Sequence, residues 1–266
     1  MRITEYHRAT SLQDAYDRLN EDKKHTIIGG GGWLKLSSKT IPLAIGLEDL
    51  GLDTITDEGD SLKIGSMVTL NQMADHPEVG SLYSGILTDA IRRIMGEALR
   101  NIVTVGGTLM GKYPFSDLLT PLLTMECEVE FHKEGILSLR AFLERKGRMD
   151  DILVALRIRK KKGKGYFKKI AKTALDFAVL NIAVAKDDGG YKIALGSRPS
   201  RAALAEEAMA MMNETGEPDK TMFKAAKKAS EELKFGSNHR GSETYRKNLG
   251  EVYVRRGLKE VMSHED

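Results

Sequence analysis

Leu99-Arg100-Asn101-Ile102-Val103-Thr104-Val105-Gly106-Gly107-Thr108, with Pro114-Phe115-Ser116-Asp117 close behind, is the stretch on which the reading of this chain turns. The β-branched run Val103, Thr104 and Val105 predicts a short extended segment, and the two adjacent glycines end it in backbone that no side chain screens. Another segment or a ligand can approach closely there. Upstream, Ile86, Leu87, Ala90, Ile91, Ile94, Met95, Ala98 and Leu99 recur at helical spacing and predict one buried helix. Its polar face carries Asp89, Arg92, Arg93, Glu97 and Arg100. Downstream, residues 114–125 read as the start of a second helix, with Ser116 as N-cap and Asp117 in the first turn. A glycine turn beside a helix N-terminus suits a phosphate or polyol ligand.

A second glycine turn lies well upstream. Ile3-Thr4-Glu5-Tyr6 predicts a strand, and Thr10-Ser11-Leu12-Gln13 resembles a capping box before an amphipathic helix carrying Leu12, Ala15, Tyr16 and Leu19. The strand Thr26-Ile27-Ile28 then runs into Gly29-Gly30-Gly31-Gly32-Trp33-Leu34. A Walker loop needs Lys and Ser or Thr after its last glycine, and a dinucleotide fingerprint needs G-x-G-x-x-G; this turn has neither. Taken alone, it is either a flexible turn or a row of backbone N–H groups forming an anion-binding nest.

Further strands are expected at 43–45 and 62–64, with Thr69 capping a short helix that ends near Pro77. Apolar alternation over 129–139 across Gly135 predicts a hairpin, and 153–158 another strand. Residues 157–169 form the one dense basic run, with Tyr166 and Phe167 inside it. That run reads either as a solvated hairpin tip, which Gly163 and Gly165 favour, or as a single-stranded nucleic-acid site of charge plus stacking. A turn at 186–190 follows, then a helical region from 200 to 213, a helix from Pro218 to Leu233 and a last helix from Ser242 to Met262. Met209, Met211 and Met212 read as packing residues.

Composition bounds the function. The 266 residues suffice for two domains, and 41 Lys and Arg against 38 Asp and Glu leave a net charge of +3. That balance gives no global reason to expect nucleic acid or an acidic membrane surface. One cysteine, Cys127, set among apolar residues, excludes an internal disulfide and any cysteine-ligated iron–sulfur cluster within this chain. The six histidines, His7, His25, His76, His132, His239 and His264, show no metal-ligand spacing, so no metal is expected. G-x-S-x-G is missing, and no nucleophile–base pair emerges. With neither an N-terminal apolar core nor a long apolar span, the chain is expected to be cytoplasmic, with no membrane partner.

In this order, the two glycine turns resemble those of the FAD-binding subunit of the molybdenum hydroxylases. That family includes the flavin subunits or domains of xanthine dehydrogenase and aerobic carbon monoxide dehydrogenase. Its first loop typically reads A-G-G-T-D-L, where this chain has Gly29 to Leu34; its second reads I-R-N-x-A-T-I-G-G-N, which residues 99–108 follow more closely. P-x-S-D is matched by Pro114 to Asp117. Phe167-Lys168-Lys169 leads into Leu175-Asp176-Phe177-Ala178, and Arg240-Gly241-Ser242 with Tyr245-Arg246 heads the last helix.

The resemblance implies an α+β fold: a PCMH-type FAD-binding domain over residues 1–163, in two α/β parts of about 1–55 and 56–163. A smaller C-terminal domain of antiparallel strands plus three helices would span 164–266. It implies that Gly29, Gly30, Gly31, Gly32, Trp33 and Leu34, together with Thr104, Val105, Gly106, Gly107 and Thr108, hold the FAD pyrophosphate through backbone N–H groups. Asp117 would contact ribityl or ribose hydroxyls, and Lys168 would lie near the flavin. It implies an oxidoreductase subunit: electrons from a molybdenum site would pass through two [2Fe-2S] clusters to FAD and on to an acceptor such as NAD. The chain has neither the cysteines for the clusters nor the length for a molybdopterin domain, so a [2Fe-2S] small subunit and a molybdopterin-binding large subunit are its expected partners. Gly32, Trp33 and Thr108 depart from the family loops, which opens a second reading: an assembly subunit with weak or lost FAD binding. A free-standing PCMH-type flavin oxidase fits the 240–246 pattern less well.

Overall fold

The computed structural model describes residues 1–263; His264, among the histidines considered above, lies outside the described residues. β1 (Arg2–Arg8) leads to Ser11, whose hydroxyl accepts the Asp14 N–H and opens α1 (Leu12–Glu21). β2 (Thr26–Ile28), β3 (Thr40–Gly46), β4 (Ile55–Asp57) and β5 (Ser61–Gly65) follow. A reciprocal capping box opens α2 (Leu70–Asp75): Gln72 N–H donates to Thr69 Oγ1, and Thr69 N–H donates to Gln72 Oε1 at 2.8 Å. Next come α3 (Pro77–Ser81), α4 (Ile86–Arg92), α5 (Glu97–Arg100), α6 (Val105–Gly111) and α7 (Leu119–Leu122). β6 (Cys127–Phe131), β7 (Gly135–Ser138), α8 (Leu139–Glu144) and β8 (Leu153–Arg159) precede β9 (Lys164–Ile170), β10 (Leu180–Asp187), β11 (Gly190–Gly196) and β12 (Ala203–Leu204). The chain closes with α9 (Glu206–Asn213), α10 (Pro218–Glu232) and α11 (Glu243–Met262).

Four expectations change. The single helix expected over 86–99 is two, because Met95 takes a left-handed φ of 41° and Gly96 is extended and caps α5. Apolar periodicity runs through that break unseen. Val105 and the two glycines begin a helix instead of ending a strand, since Thr104 caps α6 by accepting the Gly107 N–H on its hydroxyl. Within 114–125 only Leu119–Leu122 is helical, with Ser116 Oγ accepting from Leu119 N–H at 3.3 Å. The basic run is no hairpin tip: β8 and β9, on either side of it, pair in different sheets. Its charges are matched by acids, Arg157 with Glu58 and Glu130, and Lys161 with Glu126 and Asp188.

Two compact units result. Unit 1 contains Met1–Met73, Gly96–Gly111 and Cys127–Arg159. It holds a parallel sheet of order β1-β3-β2 and an antiparallel sheet of order β4-β5-β8-β6-β7. Ala15 and Leu19 of α1 pack with Ile45, Leu47 and Ile152 in its core.

Unit 2 contains Ala74–Met95, Lys112–Glu126 and the chain from Lys160 onward. Its antiparallel sheet runs β12-β11-β10-β9. Leu180, Ile182 and Val184 of β10 face α9, α10 and α11, meeting Ala225, Ala229, Val254 and Leu258. The alternate residues Asn181, Ala183 and Ala185 are buried on the other face, toward which α4 and α7 pack. A strand covered on both sides is apolar throughout, as β10 nearly is.

Arg246 at the head of α11 is fully buried without a carboxylate. It donates to Val179 O at 2.9 Å, Gly236 O at 2.7 Å, Gly241 O and Asn238 Oδ1 at 2.6 Å, tying the turn before the helix to the sheet. Burial pulls its pKa below the ordinary guanidinium value. Arg246→Met leaves those acceptors unpaired and is expected to cost about 3 kcal/mol or more. Urea unfolding checks this; a loss within about 0.5 kcal/mol would show that water replaces the guanidinium.

Candidate functional site

Unit 1 brings the two glycine turns into direct contact. The first turn leaves β2, takes Gly31 through a left-handed φ of 65°, and closes with Lys35 N–H on Gly31 O at 3.0 Å. Trp33 and Leu34 lead into a single 3-10 turn over Leu34–Leu36. Its glycines are dictated by the second turn. A Cβ on Gly29 would lie 2.5 Å from Thr104 Oγ1, one on Gly32 2.5 Å from Val103 Cγ2, and one on Gly30 inside the carbonyl oxygen of Ile102. Among the described residues, the N–H groups of Gly30, Gly31, Gly32 and Leu34 have no hydrogen-bond partner. Successive free N–H groups in such a turn are the donor set an oxyanion takes.

The second turn is organised differently. Val105 N–H donates to Val68 O at 2.9 Å, Gly106 N–H to Ser66 O at 2.8 Å, and Gly107 N–H to Thr104 Oγ1 at 3.1 Å. Thr108 turns inward as well, its N–H and hydroxyl both donating to Thr104 O at 3.0 Å. Four of the five donors expected from this turn, those of Val105 to Thr108, are therefore spent inside the protein, because the segment enters a helix at Val105; among the described residues the Thr104 N–H has no hydrogen-bond partner. Gly106 is needed for packing: a Cβ there would come within 2.8 Å of Ser66 O. Gly107 is the contrast, since a Cβ on it would meet only Thr104 Oγ1, at 3.2 Å. The Arg-Asn pair ahead of the turn anchors it to α2, with Arg100 Nε donating to Asn71 Oδ1 at 2.9 Å and the Asn71 amide donating to Asn101 Oδ1.

Asp117 and Lys168 belong to unit 2. Asp117 is buried, accepting from Lys169 Nζ at 2.9 Å and from Asn181 Nδ2 at 2.7 Å. Burial pushes its carboxyl above the ordinary carboxylate range, against the pull of Lys169 and Asn181. Strand alternation along β9 separates the two lysines. Lys168 pairs across from Ile182 on the helix-covered face, its ammonium 5.8 Å from the Tyr253 ring centre. Lys169 pairs across from Asn181 on the opposite face; its side chain is 5% exposed, and it also donates to Arg93 O at 2.9 Å. Sequence reasoning overlooked Lys169, Asn181 and Ser197, whose hydroxyl accepts from Asn181 Nδ2 at 3.1 Å. Two adjacent lysines do not reveal which face each takes until the strand register is known.

Comparison with known proteins was made against this geometry. Residues 2–159 match the family described as the FAD binding domain in molybdopterin dehydrogenase, and residues 165–261 that of the CO dehydrogenase flavoprotein C-terminal domain. A xanthine dehydrogenase FAD-binding subunit of Escherichia coli O157:H7 is 26% identical over 196 residues, which cover 67% of this chain and 66% of that protein. The match thus spans just under two thirds of that relative. The glyceraldehyde dehydrogenase medium chain of Sulfolobus acidocaldarius is 25% identical over 279 residues, covering 96% of this chain and 97% of that one. Among solved structures, a carbon monoxide dehydrogenase from Hydrogenophaga pseudoflava superposes with a TM-score of 0.90 at 22% identity, covering 99% of this chain and 98% of that chain. At that identity the likeness shows the fold.

Lys169→Met would leave the Asp117 carboxylate buried without its cation, and is expected to cost about 3 to 5 kcal/mol at neutral pH. The loss should depend on pH with a definite sign. A carboxyl whose folded pKa lies above its ordinary 3.8 loses stability as pH rises through the folded value, and removing Lys169 moves that value further up. The deficit relative to wild type should therefore be smallest near about pH 4 and grow toward neutrality, read from urea midpoints across that range. A deficit independent of pH would mean that Asp117 is not the group left stranded.

Proposed function

Because this chain belongs to the family of FAD-binding domains of molybdopterin dehydrogenases, we propose that it is the electron-transfer flavoprotein subunit of a molybdenum hydroxylase complex. In this reading, electrons arrive from [2Fe-2S] clusters on a small partner subunit, pass through FAD, and leave to an acceptor such as NAD. A molybdopterin-binding large subunit carries the hydroxylation. The observation that carries the reading is the row of N–H groups at Gly30, Gly31, Gly32 and Leu34, unpartnered among the described residues, in a turn seated on Ile102 to Thr104. Bound FAD supplies both two-electron and one-electron chemistry.

The chain's own residues bind and shape. Gly30 to Leu34 would hold the pyrophosphate by backbone donation, and Gly31 gives the turn the left-handed residue that aligns its amides. Val105, Gly106 and Thr108 would act indirectly, by fixing the shelf on which the first turn rests. Asp117 and Lys168 keep their proposed roles toward ribityl hydroxyls and flavin by resemblance; each would have to share itself with a protein partner, Asp117 with Lys169 and Lys168 with Tyr253. Cys127 alone cannot ligate a cluster, so the clusters are placed on a partner.

A second reading, an assembly subunit with weak FAD binding, draws on Thr108, whose hydroxyl is turned inward, and on Gly32, which has none. A visible absorption spectrum of the freshly purified chain, with released flavin measured against protein, separates the two. About one FAD per chain is the expected result. No flavin after incubation with excess FAD would refute the cofactor role. Gly107→Val should abolish flavin retention while moving the melting temperature by no more than about 5 °C, because this residue is exposed and its Cβ would meet only Thr104 Oγ1, at 3.2 Å. A folded variant with full flavin would remove Gly107 from the binding surface.

A further inference from the structure

Two arginines of α11 are paired with aromatic rings. Arg255 lies over the ring of Phe223 in α10, at 5.2 Å from the ring centre, and Arg256 over Tyr253 at 4.9 Å. Lys168 reaches the same Tyr253 ring. Each arginine has a glutamate four residues away, Glu251 for Arg255 and Glu260 for Arg256. That spacing closes ion pairs elsewhere, as in Arg93–Asp89, Arg140–Glu144 and Lys247–Glu243. Here neither closes, and among the described residues neither arginine has a carboxylate partner. Phe223 is 55% exposed on α10, and Arg256 and Lys259 are exposed on α11.

Stacking fixes a guanidinium by its face and leaves its N–H edge free for a carboxylate fork. Side chains already ordered in this way lose little entropy on association, and arginine and aromatic residues are those that carry protein interfaces. Lys168, Arg255, Arg256 and Lys259 outnumber Glu251 and Glu260, so the strip is net positive and fits an acidic protein surface. The interspersed glutamates disfavour a nucleic-acid backbone. We propose that the Phe223–Arg255 and Tyr253–Arg256 pairs of α10 and α11 form the docking surface for an acidic face of a partner subunit. This rests on the reading of the chain as one subunit of a complex.

The test uses the complex as its native host assembles it, purified through a tag on this chain, with iron, molybdenum and flavin measured per chain. The R255E/R256E variant is expected to keep its flavin and melting temperature but lose roughly tenfold of the co-purifying iron and molybdenum. Lys23→Glu and Lys24→Glu, exposed in unit 1 after α1, serve as the charge control and should lose little. Full metal retention by R255E/R256E would overturn the proposal. Metal absent from the wild-type preparation would instead refute the subunit reading. Labelled deca-glutamate then decides the surface alone: wild-type binding that weakens roughly tenfold in the variant and fades with salt supports it. Equal binding by both proteins, no binding by either, or binding of a generic oligonucleotide in its place overturns it.

Discussion

The contact between Gly30 and the carbonyl of Ile102 sets the terms for unit 1. Two backbones cannot approach so closely with a Cβ between them, so glycine at positions 29, 30 and 32 is a packing requirement before it is anything else. Once the first turn is pressed onto 102–104, the amides of Gly30, Gly31 and Gly32 pair in neither a helix nor a ladder. The amides of Gly30 to Gly32 are left pointing away from protein partners, which is where an anion gains most. The second turn supplies rigidity to this arrangement. Its amides from Val105 to Thr108 are bonded to Ser66, Val68 and Thr104, and its Arg-Asn pair is fastened to Asn71, so the protein's own bonds fix the shelf.

Unit 2 is governed by the cost of buried charge, met in two ways. Arg246 and Arg198 are wrapped in carbonyls: Arg198 donates to Leu195, Lys234 and Arg201 oxygens, and burial lowers its pKa to about 10. Such cages give every guanidinium nitrogen an acceptor without a counter-ion, and they pin the loops that supply the carbonyls. Asp117 and Lys169 instead neutralise one another, with Asn181 completing the carboxylate. The first device stabilises turns. The second ties the Pro-Phe-Ser-Asp turn to the sheet and, through Lys169, to the carbonyl that ends α4.

Most of the architecture was legible because burial imposes periods that side chains record. The helices at 12–21, 218–232 and 243–262 and the hairpin across Gly135 follow from such patterns, as do the capping signals at 10–13 and at Thr69 ahead of the helix at 70–75, whereas the antiparallel C-terminal strands were implied by the family resemblance. What stayed hidden depends on partners distant in sequence. Met95 breaks the 86–99 helix through a backbone angle, which apolar spacing does not encode. The β-branched run at 103–105 favours extension locally, yet the carbonyls of Ser66 and Val68 draw its amides into a helix start. At the site, the two glycine turns were visible, but the division of labour between them was not: a glycine looks the same whether it admits a ligand or a neighbouring carbonyl. The choice between Lys168 and Lys169 likewise needed the pairing of β9 with β10.

The departures from the family loops take a different meaning in this light. Against the sequence pattern, Gly32, Trp33 and Thr108 are losses, since each removes a side chain that elsewhere is polar. In the folded chain, a side chain at position 32 would collide with Val103, and the Thr108 hydroxyl is already bonded to Thr104. What remains on the open side of the first turn is backbone. Backbone donors are indifferent to residue type provided the turn keeps its path, and that path is held by Gly31 and by the Ile102 contact, both intact. Hydrogen bonds to a charged acceptor contribute about 1.5 to 3 kcal/mol each, so on the proposed reading four free amides would outweigh one or two missing hydroxyls. On the proposed reading, affinity for a diphosphate would follow from how tightly the two turns pack, and the substitutions that matter most for it would be those that move the first turn off its shelf.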